Sequence, residues 1–128
     1  MRLLYKEFNA NPKGRKTSDC VVRALSTATG KPYAEVYREL FEISLATGYM
    51  LNEKRVEDKL LERYGFVKVK QPKHNDGTKY KIGDLLLLTS APIVVIRCAH
   101  HLCCVKHGVL LDTWDCRLKT INNYYVKK

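Results

Sequence analysis

Long apolar runs are missing from this 128-residue chain; segments such as Leu85–Leu88 and Ile93–Ile96 stop at four residues. A helix that crosses a bilayer needs about 20 apolar residues, so no membrane span is predicted. Linkers rich in proline, glycine and serine are also missing, as are repeats. The length therefore reads as one domain, residues 1–128. The opening Met1-Arg2-Leu3-Leu4-Tyr5-Lys6-Glu7 is broken by charge and has no signal-peptide core. An intracellular protein with reduced thiols is expected, and an odd count of five cysteines excludes a complete disulfide framework. P-loop, G-x-G-x-x-G and H-E-x-x-H patterns are absent, which leaves nucleotide and zincin chemistry without support.

Acidic residues are scarce, 13 against 23 Lys and Arg, for a formal net charge of +10. The imbalance is concentrated late. Residues 1–64 hold 12 basic and 9 acidic residues, and residues 65–128 hold 11 and 4. An anionic partner such as nucleic acid is compatible with this charge but not favoured by it, because charge sets long-range attraction and names no site. Tyr124 and Tyr125 beside Lys127 and Lys128 offer stacking plus charge; a frayed basic terminus is the plainer reading.

What is present is a change of period. A short strand is expected within Met1–Ala10, then a basic loop Asn11–Lys16. A helix should begin at Thr17-Ser18-Asp19, with Ser18 or Asp19 capping it, and close at Gly30. A second opens with Pro32 at its first position and buries Val36, Leu40 and Ile43, with Tyr33, Tyr37 and Phe41 read as core beside them. A third runs from Asn52 to Gly65 and buries Val56, Leu60 and Tyr64. Beyond it, Phe66–Lys70 alternates as a strand, Gln71–Lys79 is a polar loop, and Ile82–Leu88 is a short helical turn. Pro92–Arg97 is a buried strand, Leu102–Lys106 and Val109–Trp114 form a hairpin, and Leu118–Val126 is the last strand. Helices first and a mostly antiparallel sheet second is an α+β order.

Cys20 falls in the first turn of the first helix. Backbone N–H groups converge there and the helix dipole favours an anion, which lowers a thiol's pKa. A nucleophilic cysteine also needs a base and a group to orient that base. If His107-Gly108 is a two-residue hairpin loop, Cys103 faces Asp112 and His101 faces Trp114. Alternation then places His101 and Asp112 on one face as diagonal neighbours, while His100 points away. A slip of one residue would reverse those faces. Cys20 as nucleophile, His101 as base and later acid, and Asp112 holding the imidazole form a candidate triad, with Trp114 packing over His101.

Asp19-Cys20-Val21-Val22-Arg23-Ala24-Leu25, preceded by Asn11-Pro12, resembles the nucleophile helix of papain-like cysteine peptidases, and bacteriocin-processing members in particular. His101-Leu102 and Asp112-Thr113-Trp114 are similar to their His and Asp/Asn strands, in the same order. The pattern, over roughly residues 9–116, also resembles small papain-like proteins of bacteriophages and their Gram-positive hosts. The resemblance implies a papain-like fold, a cysteine peptidase or amidase with a Cys20–His101–Asp112 triad, a protein or peptide substrate, no cofactor, and a cytoplasmic setting in a bacterium or phage-infected cell. The family's upstream Gln, an oxyanion donor, is replaced by Gly14. That role would pass to the backbone N–H of Cys20 and to Asn11 or Lys16. The alternatives are an inactive papain-like scaffold that binds a partner protein, and a basic nucleic-acid-binding protein.

Cys98, His100, His101, Cys103, Cys104 and Cys116 are ligand types that suit zinc. Their spacing includes no C-x2-C pair, and adjacent Cys103 and Cys104 must point to opposite faces, so no metal is expected. Cys98 and Cys104 read as core, and Cys103, on the His101 face, as a minor redox thiol.

Overall fold

The computed structural model describes residues 2–127. β1 (Leu4–Glu7) comes first, then α1 (Cys20–Thr29), α2 (Tyr33–Thr47), α3 (Lys54–Arg63) and β2 (Phe66–Val69). A 3-10 helix, Ile82–Leu87, leads into β3 (Ile93–Cys98), β4 (His101–Lys106), β5 (Val109–Asp112) and β6 (Asn123–Lys127). The strands form one sheet in the order β1-β5-β4-β3-β6-β2. The architecture is mixed α+β. The sheet is antiparallel except at one edge, where β1 runs parallel to β5.

Period-two alternation in the central strands serves two cores. On one face, Val95, Leu102, Cys104 and Tyr125 pack with Val22, Leu25, Leu40 and Leu60 of the three α-helices. On the other, Val94, Ile96, Cys103 and Val105 pack with Leu3, Ile82, Leu85 and Ile121. Both faces are covered, which explains the unbroken apolar run Ile93–Ile96. Among the described residues no helix is long and apolar enough to cross a membrane.

The hairpin register follows the two-residue loop, with Lys106 opposite Val109 and Val105 opposite Leu110. His107 and Gly108 both have positive φ, 50° and 78°, as a primed hairpin turn demands. Three elements are shorter than their apolar patterns suggest. β5 ends at Asp112 and β6 begins only at Asn123. Pro32 sits at the N-cap of α2 rather than inside it.

Two burial expectations and one capping expectation are corrected. Tyr37 and Phe41 are 49% and 50% exposed, because α2 lies on the outside and only its Val36–Leu40–Ile43 stripe meets the core. Tyr124 and Tyr125 are buried, since β6 lies between β3 and β2 and its side chains enter both cores. They offer no stacking platform; Lys128 lies outside the described residues. Asp19 occupies the N-cap position of α1 but makes no side-chain cap hydrogen bond.

Candidate active site

Asp19 is diverted from capping by a stronger partner. Its Oδ1 accepts from Arg23 Nε at 2.7 Å, one helical turn on, and its Oδ2 accepts from Asn11 Nδ2 at 2.9 Å and the Tyr33 hydroxyl at 2.8 Å. These bonds fix the start of α1, and with it Cys20 at the first helical position. The other end of the Arg23 guanidinium reaches across to the sheet, where Nη1 donates to Asp112 Oδ1 at 2.8 Å. A buried arginine thus ties the helix N-terminus to the end of β5.

β4 starts at His101, directly after the tight connection from β3 in which His100 takes φ of 55°. The short β5 ends at Asp112 on the same edge of the hairpin, and His101 Nε2 meets Asp112 Oδ2 at 2.6 Å. Asp112 is 2% exposed and also accepts from the Thr113 backbone N–H at 2.7 Å. Burial raises its pKa, but the hydrogen bonds from His101 and Arg23 outweigh that, and the carboxyl ends below its ordinary value. Trp114 leans over the imidazole with ring centroids 5.0 Å apart and a 50° tilt.

While Asp112 holds Nε2 of His101, Cys20 lies on the wall of the same cleft as that imidazole. The Cys20 side chain interacts with His101 and with the backbone of Leu102. Burial raises the thiol's pKa, yet His101, the Leu102 backbone and the nearby Arg23 charge together bring it below the usual value. Burial likewise disfavours the imidazolium, but Asp112, Cys116 and Cys20 more than compensate, and His101 is pushed up to about 12. The arrangement sets a thiol of lowered pKa beside an imidazole braced by a carboxylate.

Cys20, His101, His100 and Trp114 line a cleft of about 1080 Å³, together with Val21, Tyr37 and Leu51. Lys16 lines it too; its Nζ is solvent-exposed and 3.9 Å from Glu7 Oε2. Asn11 lies outside that lining. Its Nδ2 is committed to Asp19 and its Oδ1 accepts from the Lys13 backbone N–H at 2.8 Å.

Arg23 and Cys116 were missed as parts of the site. Arg23 carried a readable signal: a cation among Val21, Val22, Ala24 and Leu25, four residues after an aspartate on a helix. Cys116 carried none. It follows β5 in an irregular segment, and only the fold brings its Sγ to 3.8 Å from Asp112 Oδ2. All five cysteines are free thiols; Cys98, Cys103, Cys104 and Cys116 are buried. Comparison with protein-family models, curated proteins and solved structures finds no match to this chain.

Proposed function

We propose that the protein is a cysteine hydrolase of papain-like fold and type, acting on an amide or isopeptide bond of a protein or peptide. One observation carries the reading. A single imidazole, held by a buried carboxylate at 2.6 Å, also faces a thiol at the first position of a helix in an open cleft. Cys20 Sγ attacks the carbonyl carbon, a C–S bond forms, and the C=O π pair moves to oxygen. The tetrahedral adduct collapses, the C–N bond breaks, and His101 gives its proton to the leaving nitrogen. His101 then takes a proton from water, whose oxygen displaces Sγ from the thioester and returns the free enzyme. Asp112 keeps the imidazole oriented and charged. The Cys20 backbone N–H supplies one oxyanion donor and Lys16, on the cleft wall, a second.

The test is the rate of Cys20 alkylation by iodoacetamide near pH 6.5, read by mass spectrometry against free glutathione. Faster reaction at Cys20, lost in His101→Ala, is the expected result. A rate at or below glutathione's, unchanged by His101→Ala, overturns the proposal.

A second reading, a catalytically weak scaffold that binds a partner protein, is favoured by the Asn11 amide being spent on Asp19 rather than turned to the cleft. On that reading Cys20→Ala retains full biological activity, whereas a hydrolase loses it.

A further inference from the structure

On the side of His101 held by Asp112, a second thiol completes a different donor set. His101 Nε2, Asp112 Oδ2 and Cys116 Sγ all lie within 4.8 Å of one another. Asp112 and Cys116 are almost wholly buried. Cys103, two residues beyond His101 on the same face of β4, is also buried but stands outside this set of three. One imidazole nitrogen, one carboxylate oxygen and one thiolate are a zinc donor set. Donors at roughly 2.0–2.3 Å from a tetrahedral ion sit about 3.3–3.8 Å apart. The 2.6 and 3.8 Å separations on the page need only small adjustments to admit an ion. The charges also suit one another: the Asp112 carboxylate and the Cys116 thiolate face a divalent ion, and the Arg23 guanidinium holds the other carboxylate oxygen at 2.8 Å.

We infer that His101, Asp112 and Cys116 form a three-ligand binding site for a zinc-class divalent cation, with its fourth position left to water. Binding displaces the proton on His101 Nε2 and that on the Cys116 thiol, both released to solvent, with no change of oxidation state. Sequence spacing pointed away from zinc because the ligands come from one strand, the end of the next and the irregular segment after it, not from paired C-x2-C turns. A bound ion would occupy the ring nitrogen that now meets Asp112, so the imidazole serves either the metal or the Cys20 chemistry. The donor set stands whether or not Cys20 is a nucleophile.

The test is titration of the reduced full-length protein with Zn²⁺ against a chromogenic chelator, and with Co²⁺ by absorption spectroscopy. One equivalent bound, with a thiolate-to-Co²⁺ charge-transfer band and tetrahedral d–d bands, is expected. Cys116→Ser should weaken Zn²⁺ by more than the roughly 10- to 100-fold that loss of a mere supporting partner costs. Cys20→Ser and Cys104→Ala should bind as the parent does. No stoichiometric binding, a Co²⁺ spectrum without the thiolate band, or equal affinity in Cys116→Ser overturns the inference. The Co²⁺ spectrum of the unaltered protein decides the matter even if Cys116→Ser does not fold. Loss of Cys20 alkylation with metal binding intact would sink the hydrolase reading alone.

Discussion

Two buried arginines tie the helical layer to the sheet, and the buried carboxylates they hold are shifted in opposite directions. Arg23 lies between Asp19 and Asp112, and both carboxyls fall below their ordinary values. Arg97 meets Glu57 at 2.7 Å, Asp58 at 3.4 Å and the Tyr125 hydroxyl, yet Glu57 is raised, because burial dominates what its partner returns. Asp112 accepts from a guanidinium, an imidazole and a backbone N–H, while Glu57 has the one guanidinium. Donor number, rather than proximity to an arginine, decides the direction in which a buried carboxylate's pKa moves. The Arg23 network holds a charge in place at the cleft. The Arg97 network clamps α3 to β3 and β6; among the described residues, Asn123 Nδ2 at the start of β6 is buried without a hydrogen-bond partner.

The comparison breaks most readily at its arginines. Arg23→Met strands two buried carboxylates and should cost about 3–5 kcal/mol in urea unfolding. Arg97→Met should cost less, because Glu57 is already inclined to take up a proton. Equal losses would dissolve the distinction.

Next in size are the carboxylates. Asp112→Asn should slow Cys20 alkylation at neutral pH by about tenfold or more, the effect of one pKa unit on the thiolate population. Glu57→Gln should leave that rate unchanged, and a shared effect would mean that both networks act on the thiol.

Acid stability sharpens the contrast by sign. Asp19 is lowered on folding despite its burial, through Arg23, Tyr33 and Asn11. Its stabilisation is full above the unfolded pKa of about 3.9 and is lost as pH falls through the folded value. Asp19→Asn should therefore flatten the acid limb below about pH 4. Glu57, raised, contributes in the other direction, gaining stability as pH falls through its folded pKa toward about 4.3. Glu57→Gln should make the decline steeper. Thermal melts from about pH 3 to about pH 7 report both slopes.

The smallest effect belongs to the exposed rim of the second network. Lys68 Nζ lies 3.3 Å from Asp58 in solvent. Lys68→Ala should change stability by less than about 1 kcal/mol in the same unfolding assay.

The hairpin carrying His101 and Asp112 was legible because the His107-Gly108 turn fixes register and alternation does the rest. The helix carrying Cys20 was legible from Asp19 at its start and Gly30 at its end. The role of Asp19 was misread, because local propensity sees a cap, whereas the fold supplies Arg23, Tyr33 and Asn11 as competing donors. Tyr124 and Tyr125 looked terminal in the chain, but sequence position does not reveal that β6 enters the sheet between β3 and β2. Convergence of Cys116 on Asp112 was hidden for the same reason: it depends on how an irregular segment folds back.

The parallel pairing of β1 with β5 has a temporal consequence. It joins Leu4 to Val109 and Glu7 to Asp112, with Phe8 N–H donating to Asp112 O at 2.9 Å. The first strand therefore waits for a partner made more than 100 residues later. Cys20 emerges early from the ribosome, but the histidine and aspartate that pair beside it belong to the last third of the chain. High sequence separation of this kind slows assembly. It also means that a nascent or truncated chain that stops short of His101 and Asp112 carries an ordinary thiol.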